Sequence, residues 1–241
     1  MMEQLRVLHS SLNLKKIILD KKEILQYSLP LLFSGILGDV LFAWTDTLIL
    51  GYFKPISQVG IYNAAVPTAQ LLYVLPLSLM AIFMPIVTAR FALKQNLKTI
   101  FTTVTKWLFM FNIYLLFLIM FFSRSILKIL FGNIYAEGYL ALIFLSLAFF
   151  IDTLSFTSNN MLKTLKKSNL IFINTLISSL INIILNIIFI QLFGFVGAAY
   201  ATAISLTLRT ILTISETFYF TKIFPFKLVP TIKILLAITV S

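Results

Sequence analysis

Apolar runs long enough to cross a bilayer recur along this chain, and they constrain its fold more than any motif does. Six of them, about 27–50, 61–89, 107–123, 139–157, 170–192 and 196–215, are separated by short polar stretches. A hydrocarbon core of about 30 Å takes a helix of roughly 17 to 25 residues. Charged residues make up only 11% of the chain, whereas soluble domains carry about 25%, so too little polar surface exists to cover a water-soluble globule. The predicted class is an all-α membrane protein, a polytopic helical bundle of six complete spans. A seventh run begins at 229 and has 13 residues to the end of the sequence, roughly 20 Å of helix. It is read as the start of a further span, which implies either a longer gene product or a sequence that is a fragment. The expected organisation is a cytoplasmic N-terminal segment (1–26), a six-helix transmembrane lobe (27–216), and a loop with the beginning of another helix (217–241).

Basic residues set the expected orientation. The segment before the first span and every second loop after it carry fourteen Lys and Arg residues, and the alternate loops carry three. Cytoplasmic loops are the lysine- and arginine-rich ones, so the N-terminus is placed in the cytoplasm of a cell-membrane protein. The net charge of +11 is spread between spans and not gathered on one face, which argues against nucleic acid as a partner. No cysteine is present and His9 is the sole histidine, so thiolate and imidazole metal sites and a catalytic triad are not expected. None of the eight glycines is followed by lysine, so the phosphate-binding GK[ST] signature of an ATPase is missing. Neither enzymatic activity nor a cofactor is expected. Work done by such a chain would draw on an ion gradient, the membrane potential or the substrate's own gradient.

Ionisable groups inside a span are costly and usually face the bundle interior or a wet cavity. Counting from residue 27 at about 1.5 Å per residue places Asp39 near the midplane and Asp46 near the outer interface. Seven residues are almost two turns, so both carboxylates share a helix face. Asp39 is read as lining a cavity or making a structural hydrogen bond, and Asp46 as a more solvated helix end on the same hydrated path. Asn174, Ser178, Asn182 and Asn186 follow one another at four-residue spacing in the fifth span. They form a polar stripe that either glues helices together or faces a hydrated cavity. Asp152 and Arg209 lie at similar depth, so they can pair, unless Arg209 snorkels to the interface. Arg90, on the rim of a basic loop, is a topology signal or a contact for an anionic headgroup. Pro67, Pro76 and Pro85 cluster in the second span and predict bends. In the sixth, Gly194/Ala198 and Gly197/Ala201/Ser205 repeat the small-xxx-small spacing that lets helices approach closely.

Several stretches, taken in order, resemble one family. They are SLPLLFSGILGDVLFAWTDTLILGYF (28–53), QVGIYNAAVP (58–67), MPIVTARFA (84–92), LFGNIYAEG (130–138), LINIILNIIFI (180–190) and GFVGAAYATAIS (194–205). The series looks like the second half of the polysaccharide-biosynthesis flippases, the lipid-linked oligosaccharide branch of the superfamily that also holds the multidrug and toxin extruders. The resemblance implies two six-helix lobes around a central cavity, working by alternating access. It implies a substrate made of an oligosaccharide on an isoprenoid phosphate, turned from the cytoplasmic to the outer leaflet. Its partners would be that lipid-linked oligosaccharide, membrane lipids and the N-terminal lobe that this chain lacks. Asp39, Asp46, Asp152 and the Asn174–Ser178–Asn182–Asn186 stripe would then line the sugar cavity, with Arg90 and Arg209 at the phosphate. The runner-up is a cation-coupled drug extruder, in which Asp39 takes the proton or sodium ion. A third reading is a non-transporting fragment that needs its partner lobe.

Overall fold

The computed structural model describes residues 21–38 and 44–224. Among these the elements are α1 (Lys21–Leu37), α2 (Thr45–Phe53), α3 (Ile56–Ala92), α4 (Lys98–Phe131), a 3-10 turn (Asn133–Gly138), α5 (Tyr139–Thr153), α6 (Phe156–Thr164), α7 (Ser168–Phe193) and α8 (Phe195–Thr221). Five helical stretches are long and apolar enough to cross a membrane, the run from Asn133 to Thr164 counted as one, and Ile24–Leu37 is a shorter apolar helix. The chain is an all-α, multi-pass membrane protein. Its outer face carries exposed aromatic side chains such as Trp107, Tyr114 and Phe121 on α4, a surface suited to lipid.

Two predicted spans are not single helices. The run 27–50 is divided between α1 and α2, which are separate elements. The run 139–157 breaks after Thr153, where the backbone N–H and the hydroxyl of Ser155 both donate to the Asp152 carbonyl, at 3.0 and 2.8 Å. That hydroxyl competes with the helical ladder for the carbonyl, as serine commonly does at helix ends. By contrast α3 runs unbroken through Pro67, Pro76 and Pro85. The run beginning at 229, and Asp39, lie outside the described residues.

Helix α8 is central: it packs on α7, α5 and α6, while α3 packs on α5 and α1 rests on α7. Leu50, Tyr62, Ala65, Leu145, Ala148 and Ala198 belong to the main core, and Met80, Phe83, Val87 and Met161 to a second cluster. The α7–α8 contact depends on small residues, as the spacing predicts. Gly194 makes the connection alone at φ +61, a backbone region that favours glycine. At Gly197 a Cβ would stand 2.0 Å from the Phe189 carbonyl oxygen, so only glycine allows this approach.

Candidate functional site: a polar cavity between two buried carboxylates

Helix α3 presents Tyr62, Val66, Gln70, Tyr73 and Leu77 to the interior, at spacings of three and four that keep them on one face. Helix α8 does the same with Thr202, Leu206, Arg209 and Thr213. Between these stripes, closed by α1, α5, α6 and α7, lies a cavity of about 530 Å3. Tyr73 stacks on Phe156, with ring centres 5.4 Å apart, and tilts against Phe149 at 4.9 Å. All three rings line the cavity, together with Asn159, Lys163 and Asn174.

Asp46 closes one side. It sits in the first turn of α2, where the helix dipole favours a negative charge, and is only 3% exposed. The Tyr62 and Thr202 hydroxyls each donate to its Oδ2 at 2.6 Å, and the Asn186 amide donates to its Oδ1 at 2.6 Å. The same amide also donates to Asn182 Oδ1 at 3.0 Å, and Asn182 Nδ2 reaches Thr202 Oγ1 at 3.5 Å. Four helices, α2, α3, α7 and α8, therefore converge on one carboxylate through neutral donors. Asn186 Oδ1 is buried and has no hydrogen-bond partner.

This corrects the expected position of Asp46 as a solvated helix end. Depth counting assumed one uninterrupted helix from residue 27, and α1 and α2 are two. Tyr62, Asn186 and Thr202 then enclose the side chain.

The second carboxylate, Asp152, lies in the last turn of α5 and is 2% exposed. Arg209 grips it with two prongs, Nε to Oδ1 at 3.2 Å and Nη2 to Oδ2 at 2.8 Å. The Tyr73 hydroxyl donates to Oδ2 at 2.9 Å. The paired alternative for Arg209 is thus the observed one, and both partners line the cavity.

The asparagine stripe divides between its two readings. Asn174 lines the cavity and donates to Glu216 Oε2 at 2.7 Å. Ser178 turns its hydroxyl onto the Asn174 carbonyl of its own helix at 2.7 Å. Asn182 and Asn186 are buried in the helix interface behind Asp46. Arg90 is exposed in the last turn of α3, away from the cavity lining. Tyr62, Gln70, Tyr73, Asn159, Lys163 and Thr202 are cavity residues that the sequence reading passed over. The signal was there for two of the helices, since the polar positions of α3 and α8 recur at helical spacing.

Comparison with known proteins agrees with this architecture. Over 178 residues the chain is 28% identical to a protein of Haloferax volcanii described as a probable low-salt glycan biosynthesis flippase; the match covers 73% of this chain and 38% of that protein. A solved structure of a MOP superfamily transporter from Pyrococcus furiosus superposes with a TM-score of 0.62 at 19% identity, covering 85% of this chain and 46% of the other. That likeness shows the fold. The chain spans less than half the length of either relative. Residues 30–188 match the MatE model, and with this arrangement of helices around an interior cavity the chain belongs to the MatE family.

Proposed function

We propose that this chain is one lobe of a flippase that moves an oligosaccharide on an isoprenoid phosphate from the cytoplasmic to the outer leaflet by alternating access. Its N-terminus would be cytoplasmic, and a second lobe would complete the transport path. The observation that carries this reading is the lining of the cavity. Stacked aromatic faces beside amides and a paired charge suit a sugar, which has apolar ring faces and a hydroxyl rim, better than a fully apolar molecule. Similarity to a probable glycan biosynthesis flippase supports the same substrate class. The test is reconstitution of the protein in vesicles with a fluorescent polyprenyl-phosphate oligosaccharide. Movement of label to the opposite leaflet is the expected result. No movement with that lipid, alongside export of a cationic drug, would overturn it.

A second reading, the cation-coupled extruder, is favoured by one observation: Asp46 is buried among neutral donors, with the orphan Asn186 Oδ1 beside it. One carboxylate with amide and hydroxyl oxygens is a donor set for a sodium ion or a proton, and hard cations take oxygen ligands. In the flippase reading the same site would supply the coupling ion. Sodium-22 binding that disappears in Asp46→Asn would establish the ion site, and drug export in place of lipid movement would select the extruder.

A further inference from the structure

The cavity is charged along its length. Thr202, which holds Asp46, and Arg209, which holds Asp152, are seven residues apart on α8, about 10 Å along the axis. Beyond them Lys163 lines the cavity from the last turn of α6, at the end of the bundle where Lys166 and Lys167 make the turn into α7. Arg209 is committed to Asp152 by two hydrogen bonds. Among the described residues no carboxylate forms an ion pair with Lys163. Its backbone carbonyl accepts the Tyr27 hydroxyl at 3.1 Å, which ties this turn of α6 to α1, and its side chain belongs to the cavity lining.

One turn earlier on α6, Asn159 also lines the cavity, and its Oδ1 is buried without a donor. Ser155, a further turn back, is occupied at the Asp152 carbonyl. Helix α6 therefore brings to the cavity lining a lysine and an asparagine about 6 Å apart along its axis, the amide oxygen buried beside it with its acceptor capacity unfilled. A phosphate on the anomeric carbon of a sugar presents the complementary pair, an anion next to a hydroxyl-bearing ring.

We propose that Lys163 and Asn159 form a sugar-phosphate subsite: the ammonium binds the phosphate of a lipid-linked sugar, and Asn159 Oδ1 accepts a hydroxyl of the first sugar. This rests on the flippase reading and sharpens it, because it fixes which end of the substrate faces the basic end of the bundle. It moves the phosphate contact away from Arg209, whose guanidinium is held by Asp152.

The test measures binding to the protein in neutral phosphatidylcholine nanodiscs. The probes are polyprenyl phosphate, polyprenyl phosphoglucose, uncharged polyprenol and inorganic phosphate. Lys163→Gln is expected to weaken both phosphate lipids about tenfold, the loss of one charge-assisted hydrogen bond, and to leave polyprenol unchanged. Lys163→Arg restores binding, and Asn159→Ala weakens only the glucose-bearing lipid. Unchanged phosphate-lipid binding in Lys163→Gln overturns the subsite alone. Inorganic phosphate binding as tightly as the lipids overturns the lipid-linked sugar as its ligand. Failure of the unsubstituted protein to bind either phosphate lipid overturns the flippase reading with it.

Discussion

The two buried carboxylates of the cavity are solvated by the protein in opposite ways. Asp152 has a full counter-charge, Arg209, and one tyrosine. Asp46 has a tyrosine, a threonine and an asparagine, none of them charged. A buried charge without a partner is costly unless hydrogen bonds and dipoles replace its water. The first arrangement is electrically closed, and suits a fixed strut joining α3, α5 and α8. The second has no counter-charge of its own, and suits a site that exchanges a cation. Equal burial thus hides unequal chemistry.

Removing one half of the closed pair should have the largest effect. Arg209→Ala strands Asp152 in a buried position, and breaking such pairs costs about 3–5 kcal/mol. Thermal unfolding in detergent should show a large drop for Arg209→Ala and for Asp152→Ala. The double substitution Asp152→Leu with Arg209→Met should recover most of it, because an apolar pair of similar volume needs no charge balance. A single variant as stable as the unsubstituted protein would mean that the pair is not a strut at all.

The helices themselves were legible, since an apolar run at bilayer length has few alternatives in a chain this poor in charge. Gly197 and the Asp152–Arg209 pair were legible as well, the first from small-residue spacing and the second from equal depth. Asp46 was not. Its three partners lie 16, 140 and 156 residues away in sequence, and no periodicity within one helix reports on what other helices bring to it. Depth counting failed for a related reason: an apolar run does not announce that a new helix begins at Thr45. Thr202 shows a subtler loss. It lies in a stretch read only for its small residues, so its hydroxyl was overlooked beside the glycines and alanines that brought it to Asp46.

The two tyrosines allow a matched test. Tyr62→Phe removes one of three neutral donors from an otherwise uncompensated carboxylate, and a hydrogen bond to a charged group contributes about 1.5–3 kcal/mol. Tyr73→Phe removes a donor from a carboxylate that Arg209 still neutralises, so its cost should fall to about 0.5–1.5 kcal/mol. Denaturation of the two variants side by side measures the difference. Equal losses would erase the distinction between a closed pair and an open site.

Asp46→Asn should have the smallest effect on folding and a complete effect on coupling. The asparagine can place its oxygen where Oδ1 lies, so that the Asn186 amide still donates to it. Its NH2 group then takes the place of Oδ2, and the Tyr62 and Thr202 hydroxyls rotate to accept, as hydroxyls can. Shape and hydrogen bonds survive and only the charge is lost, so stability should stay within about 1 kcal/mol. Ion-driven transport, measured as substrate movement under an imposed sodium or proton gradient, should fall to the level of empty vesicles. A strut would behave in the reverse way, losing stability while the remaining folded protein kept its gradient dependence.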